Sequence, residues 1–255
     1  MGNMWAMVPS ALLAALAMGL ALLAGLARLW PLGGRVGRFA LVAACALGLA
    51  VLVTVGAQSS QWPSTSPAVA AASVGVAVGL CSLMWGPQHR AAQVVQALMV
   101  ALGLGAYLLA PKPALAGGQA RGLALGLAEA HFVLGAAALL QGAVTATLNE
   151  HSSALVQGRS ASAAGLLLLT VSLLFQGIGA QCSWGAYWSW DPVECWRLAA
   201  WAMAAIVCLG IWRLGWSRER ARLALWLAAV FVYLVLVGSM PLLQWLGLNS
   251  WYLVG

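Results

Sequence analysis

The stretch WGAYWSWDPVECW, residues 184–196, contains four tryptophans, one tyrosine and two carboxylates. It lies between apolar runs at about 161–181 and 195–214, and each run is long enough to cross a bilayer core, which takes about 20 residues. We therefore expect the stretch to be a short connection at a membrane surface, between two transmembrane helices. So dense a group of aromatic rings beside two acids also suggests a binding surface.

The composition places the whole chain in a membrane. Hydrophobic residues make up 63% of it and charged residues only 7%, too little charge to cover a soluble domain. The first apolar run lacks a basic leading segment, so we expect a retained span and not a signal peptide. We predict an all-α fold, a single membrane domain over residues 1–255 with about eight transmembrane helices. The eight apolar runs are about 5–28, 38–57, 67–86, 91–110, 122–147, 161–181, 195–214 and 222–243.

The basic residues predict the direction of the chain. Cytoplasmic loops carry an excess of lysine and arginine. The connections after the first, third, fifth and seventh runs hold nine such residues: Arg28, Arg35, Arg38, Arg90, Arg159, Arg213, Arg218, Arg220 and Arg222. The opposite side holds three: Lys112, Arg121 and Arg197. Both termini and residues 182–196 are therefore predicted to face outward. We expect a bacterial inner membrane with this stretch on its periplasmic face; in other settings the outer side is the cell exterior or a plastid lumen.

This distribution also explains the net charge of +7 without a nucleic-acid partner, because the arginines form no basic patch on a polar surface. Three acids, Asp191, Glu194 and Glu129, fall at or near the predicted outer face. Charged groups at membrane depth are costly and usually functional, so these three are candidates for a site.

The aromatic stretch has an ordinary explanation and a functional one. Tryptophan and tyrosine favour the headgroup level of a bilayer, and such a belt accounts for tryptophans elsewhere in the chain. A belt requires neither the glycine at 185 nor an Asp-Pro pair followed by a glutamate. The alternative is a platform for a large flat ligand with polar edges, such as haem, another porphyrin or a quinone. Trp184 and Trp188 would share a face on a helical turn, while Asp191 would cap the next helix with Pro192 at its first position.

Residues 184–196 also resemble the tryptophan-rich WWD signature of the cytochrome c assembly proteins, the family of CcsA/ResC, CcmC and CcmF, and match every fixed position of it. LLFQGIGAQCS before the signature, AEAHFVLGAAALLQGAVTATL further upstream and the closing VGSMPLLQWLGLNSWY are similar to the corresponding family segments. The resemblance covers about residues 122–255, leaving 1–121 as an N-terminal four-span half. Eight predicted spans favour the CcsA/ResC type over the six-span CcmC type.

The resemblance implies that haem b, as a substrate, reaches the outward WWD surface. There it would be presented to the cysteines of apocytochrome c, where thioether bonds form. It also implies a partner membrane subunit of the CcsB/ResB type. The positions carried over as haem-binding are Trp184, Gly185, Trp188, Trp190, Asp191, Pro192, Glu194 and Trp196, with His131 and Asn249 at the positions of two outer histidines.

Only one family histidine has a match in this chain. His131 is expected to be an iron ligand, and the alternative is a hydrogen-bonded core residue. Asn249 stands at the second outer position and is a poor iron ligand, while Leu209 stands at the position of an intramembrane histidine. His89 and His151 are expected in cytoplasmic loops.

Three explanations of this shortfall are open. The iron takes His131 with a weak second ligand such as Met240, a cysteine or water; a partner subunit supplies the ligand; or the chain has lost haem and is an assembly subunit. The leading prediction is a haem-handling protein of cytochrome c maturation, with its place in a haem lyase complex left open. A transporter ranks last, because no inverted repeat is apparent.

The remaining candidates near the signature also have two interpretations. The five cysteines form no CxxC or CxxCH, so the chain is neither a c-type cytochrome nor thioredoxin-like. Cys182 and Cys195 either form a disulfide or are small apolar residues at span ends. Arg197 either meets a haem propionate or pairs with Asp191 or Glu194.

Overall fold

The computed structural model describes residues 4–29, 34–59, 67–84, 90–109, 123–148, 152–247 and 250. Within those ranges all regular structure is helical, so the predicted all-α fold is confirmed. The helices are α1 (Met4–Leu29), α2 (Gly34–Ser59), α3 (Pro67–Met84), α4 (Arg90–Leu109), α5 (Leu123–Leu148), α6 (Ser152–Trp184), α7 (Pro192–Trp212) and α8 (Arg218–Trp245). Each predicted apolar run corresponds to one of them.

Six of these helices, namely α1, α2, α5, α6, α7 and α8, are long and apolar enough to cross a membrane. The apolar parts of α3 and α4, Ala68–Met84 and Gln93–Leu109, are shorter. Large apolar side chains such as Phe39, Met84 and Leu109 are exposed on the outside of the bundle. Such a surface suits lipid and not water, so the chain is an integral membrane protein.

Two clusters of buried apolar side chains fill the bundle. One lies among α1, α2, α3 and α4, and the other lies among α3, α5, α6, α7 and α8. Helix α3 contributes to both, with Val76 in the first cluster and Val74 in the second. The boundary between an N-terminal half (residues 1–121) and a second half (residues 122–255) stays a prediction. Helix α3 lies in the N-terminal half but packs into both clusters.

Helix α5 is the centre of the second cluster. In an 18-residue stretch of its span, 72% of the residues are buried inside the protein, against 33–39% in the equivalent stretches of the other five spans. Glycines let α6 lie directly against it: a Cβ atom added at Gly142 would lie 3.0 Å from the carbonyl oxygen of Gly158, and one at Gly165 would lie 3.0 Å from that of Gly135. Larger residues there would force the two helices apart.

Side-chain hydrogen bonds join the helices inside the bundle. Gln96 of α4 donates to Gln141 of α5 over 2.6 Å. The indole N–H of Trp201 on α7 donates to Thr170 of α6 over 2.9 Å. Because lipid tails offer no competing partner, such bonds hold helices in register, at about 0.6 kcal/mol each on average.

The orientation of the bundle stays a prediction, and the protein's own cysteines allow a test. Cys182 and Cys195 are exposed at the end of the bundle where α6 ends and α7 begins, while Cys45, Cys81 and Cys208 are buried. A membrane-impermeant maleimide added to intact cells should modify the two exposed thiols and spare the buried three. Peptide mass spectrometry would identify the modified positions.

The control is Glu219→Cys in a Cys182→Ser/Cys195→Ser background. Glu219 is exposed in the first turn of α8, at the opposite end of the bundle. We expect this thiol to react only after the cells are permeabilised. The predicted orientation would be reversed by reaction at residue 219 in intact cells together with protection of the native pair.

Candidate functional site

The aromatic stretch forms a short loop between two helices. Helix α6 ends at Trp184, where Gly185 adopts φ 78° and its N–H bonds the carbonyl of Gln181 over 3.0 Å. Glycine adopts this left-handed conformation without strain, which ends the helix there. The prediction that Trp184 and Trp188 share a helical face is therefore wrong, because the helix ends between them.

The two acids of the stretch build the start of α7. Asp191 is its N-cap, accepting from the N–H of Val193 over 2.8 Å, and Pro192 occupies the first turn, as predicted. The carboxylate of Glu194 reaches back to the N–H of Asp191 at 3.3 Å, which completes a capping box. Asp191 is 4% exposed and Glu194 is fully buried. Both acids thus serve the fold of the loop.

Glu194 also organises the loop before the helix. The same carboxylate oxygen accepts from the backbone N–H of Ser189 at 2.8 Å and from its hydroxyl at 3.2 Å. Asp191 in turn accepts from the hydroxyl of Ser250 at 2.9 Å, so a residue near the C-terminus lies against the loop. Asn249, the sequence neighbour of Ser250, lies outside the described residues.

The aromatic side chains of the stretch divide into two groups. Trp184 packs inward, against Leu125, Val193 and Leu243. In contrast, Tyr187 and Trp190 of the loop are 66% and 72% exposed, and Trp196 at the start of α7 is 37% exposed.

Trp190 is the most exposed of these rings. It is the one residue other than glycine with positive φ, 57°, among the described residues. Its ring meets that of Trp188 edge to face at 6.0 Å. The indole N–H of Trp188 is buried and has no hydrogen-bond partner in the described part of the chain. We name the rings of Tyr187, Trp188 and Trp190 the aromatic surface.

His131 lies near the loop end of α5. Its Nδ1 is 2.8 Å from the carbonyl oxygen of Leu127. Because a carbonyl only accepts, Nδ1 carries a proton, and in the neutral ring Nε2 is the acceptor. The ring stacks at a tilt on Phe175 of α6, with centroids 5.3 Å apart. This arrangement suits either a core histidine or an iron ligand, and no ring contact joins His131 to the aromatic surface among the described residues.

Arg197 forms an ion pair that the sequence did not suggest. It binds the carboxylate of Glu129 on α5 and lies 3.5 Å from the side-chain oxygen of Gln176 on α6. It also lies over the ring of Phe132, 5.2 Å from its centre. With Arg197 only 5% exposed, pairing with a propionate would require it to leave this partner. The sequence contains one indication of this pair, since Glu129 and Arg197 carry opposite charges at a similar depth in their two membrane spans.

The structure describes only some of the other predicted positions. Cys182 and Cys195 are both free thiols, so the disulfide alternative is not what the structure contains. Leu209 lines an apolar groove of about 520 Å³ between α6 and α7, beside Trp212. His89, His151 and the side chain of Met240 lie outside the described residues.

Fold and loop together define a class: a polytopic α-helical membrane protein that exposes tryptophan rings at one end of its bundle. A sequence profile described as "Cytochrome C assembly protein" matches residues 8–247, most of the chain. The chain therefore belongs to the cytochrome c assembly protein family, and the family predicted from residues 184–196 is confirmed.

Relatives described as "Cytochrome c biogenesis protein CcsA" align with part of the chain. The one from Mesostigma viride is 33% identical over 88 residues, covering 34% of this chain and 29% of the relative. The one from Prochlorococcus marinus (strain NATL1A) is 38% identical over 88 residues, covering 34% and 27%. The one from Parasynechococcus marenigrum (strain WH8102) is 34% identical over 91 residues, covering 35% and 29%. Each match thus spans less than a third of the relative.

The capping arrangement predicts that the stability of the loop depends strongly on Glu194. Glu194→Ala should lower the free energy of unfolding by about 2–4 kcal/mol, because the two backbone N–H groups and the Ser189 hydroxyl lose a charged acceptor. Chymotrypsin should then cleave the loop faster after Tyr187 and Trp190. Thermal unfolding in detergent and limited proteolysis would measure both effects.

The matched control is Glu219→Ala, since Glu219 also lies in the first turn of its helix but is exposed. We expect a change within about 0.5 kcal/mol there. Equal effects at residues 194 and 219 would show that the buried carboxylate does not hold the loop.

Proposed function

We propose that this protein acts in the maturation of c-type cytochromes by binding haem at the aromatic surface. It presents the haem outward for attachment to apocytochrome c, together with a partner membrane subunit of the CcsB/ResB type. Family membership supports the process, as do relatives described as cytochrome c biogenesis proteins. The geometry of Trp190 supports the role of the surface.

Trp190 is the observation on which the proposal rests. A residue with a side chain in the left-handed region costs about 1–2 kcal/mol relative to its ordinary conformation. A loop that only connected two helices would avoid this cost with a glycine. Here the buried Glu194 carboxylate supports the loop on either side of Trp190, and the indole ring is turned outward. Strain of this kind is typical of a site that must display one side chain.

The residues present fit haem as a substrate with a single histidine ligand. Haem is flat and largely apolar, and the exposed faces of Tyr187 and Trp190 match it. The unpartnered indole N–H of Trp188 is a donor for a polar edge. Nε2 of His131 is the nitrogen left for iron, because Nδ1 is bonded to Leu127.

The chemistry needs orientation more than a nucleophile. When bound, haem supplies the vinyl groups across which cysteine S–H bonds add to form thioethers, with no net change in oxidation state. The aromatic surface would hold the flat face of the ligand, and the loop end would keep its edge open to the incoming peptide. Positioning of this kind can account for a large share of a rate enhancement.

A second function, a haem-poor assembly subunit, is favoured by one observation. Asn249 and Leu209 stand where the family has histidines, and Leu209 lines an apolar groove in which Cys208 carries the one metal-binding group among the described lining residues. In that case the bundle would serve as a docking element for other subunits. Spectroscopy separates the two functions.

The proposal predicts an absorption band of bound haem in the detergent-purified protein. Trp190→Gly should weaken haem binding by about tenfold, as loss of an aromatic contact worth 1–2 kcal/mol implies. Its thermal unfolding midpoint should not fall, because glycine relieves the strain at φ 57°. His131→Ala should remove the iron ligand and shift or abolish the Soret band.

Trp212→Ala is the control, since this exposed tryptophan lies at the opposite end of α7. It should leave haem content unchanged. No Soret band in the wild-type protein would favour the assembly subunit. Haem retained unchanged in both His131→Ala and Trp190→Gly would contradict the proposed site.

The missing second histidine predicts the state of the iron. With His131 as the only protein imidazole on the iron, the isolated wild-type protein should show high-spin or mixed-spin haem that binds added imidazole. Asn249→His should convert the spectrum to low-spin bis-histidine. Stable bis-histidine haem in the wild-type chain alone would contradict this inventory of ligands.

A further inference from the structure

The Glu129–Arg197 ion pair is the most deeply buried pair of charges in the described part of the chain. The side chain of Arg197 is 6% exposed and that of Glu129 is 3%. Both residues belong to membrane-spanning segments, Ala124–Leu148 and Pro192–Trp212. Burying two charges in hydrocarbon costs several kcal/mol of desolvation for each, and an apolar pair of similar shape is often as stable. Stability alone is therefore a poor reason for such a pair.

The pair links two helices that carry the proposed site. Glu129 lies two residues before His131 on α5, and Arg197 lies just after the capping box on α7. Helix α5 packs along α3, α6 and α8, and helix α7 packs along α6 and α8. The ion pair is a direct polar link between α5 and α7.

Helix α6 also contributes residues that contact the ion pair and His131. Gln176 approaches Arg197 at 3.5 Å, and its neighbour Phe175 stacks on the ring of His131. Phe132, next to His131, lies under the guanidinium of Arg197. The guanidinium therefore contacts Glu129, two residues before His131, Phe132 directly after it, and Gln176 on the adjoining helix. Its planar fork fixes direction as well as distance.

We propose that the Glu129–Arg197 pair is a positioning element that sets the loop end of α5, and with it His131, relative to the aromatic surface at the start of α7. The link between this position and haem rests on the proposed function. The proposal that the ion pair fixes the position of α5 does not rest on the proposed function, because it concerns only where α5 lies.

The test measures the exposure of position 131 without haem. In a His131→Cys protein, the rate of maleimide reaction at residue 131 is followed by peptide mass spectrometry, with exposed Cys182 as the internal reference. Glu129→Gln and Arg197→Gln should each raise this rate by about fivefold or more, the effect of a modest shift in a local equilibrium. The reversed pair, Glu129→Arg with Arg197→Glu, should bring the rate back towards that of the parent.

An apolar pair separates positioning from stability. Glu129→Leu with Arg197→Met should fold with an unfolding midpoint at or above the parent's, since it removes two buried charges. If the pair positions α5, the rate at residue 131 should stay raised in this protein. An unchanged rate in a folded apolar double variant would overturn the proposal, even if the single variants fail to fold.

Gln141→Leu is the matched control on the same helix. It breaks the buried hydrogen bond to Gln96 deeper in the bundle and leaves the loop end intact. It should lower stability while keeping the rate at residue 131 within about twofold. An equal rise in this control would mean that any loosening of α5 exposes the site.

A second readout uses the native histidine. If wild-type protein binds haem, Arg197→Gln should change the spin state or Soret position while leaving the loop protected from chymotrypsin. No haem in the wild type would refute the proposed function and leave the labelling result to judge the positioning element. A raised labelling rate with an unchanged haem spectrum would limit the pair to a structural role and overturn its link to the site.

Discussion

Hydrocarbon offers no hydrogen-bond partner, so polar groups inside this bundle must be satisfied by the protein itself. The backbone meets this constraint by forming helices, and small polar side chains meet it by bonding their own helix, as Ser73 does to the carbonyl of Val69. Gln96 and Gln141 form a hydrogen bond with each other between two helices. The same constraint draws Glu129 to Arg197, so these two buried charges lie together.

At the loop end the constraint shapes the proposed site. The most suggestive acids of the sequence, Asp191 and Glu194, are buried and occupied with backbone N–H groups. In the proposed function their contribution to haem binding would be indirect, because they build a loop in which Trp190 holds a left-handed conformation with its ring exposed. The groups left to meet a ligand are aromatic faces and one imidazole nitrogen.

The different roles of the buried acids and the exposed rings bear on the choice between a haem-handling protein and an assembly subunit. A chain kept only for docking would have little use for a strained, exposed indole supported by a buried carboxylate. A chain that held haem tightly would be expected to keep a second histidine in place of Asn249. Weak, open ligation reconciles both features, because a substrate that is passed on must also be released.

Local chemistry made much of this protein predictable from its sequence. Apolar length sets the helices, because a bilayer core has a fixed thickness, and the Asp191-Pro192 pair marks the start of α7 because each residue favours its own cap position. Gly185 also stands in the sequence at the point where α6 ends, yet the spacing of Trp184 and Trp188 wrongly suggested a shared helical face. Tertiary structure decided the rest: which ring of the stretch turns inward, that α5 lies at the centre, and that Arg197 pairs with a glutamate far away in sequence. Those outcomes depend on which helices are neighbours, and helices that are apolar on every side carry no periodic signal of their neighbours.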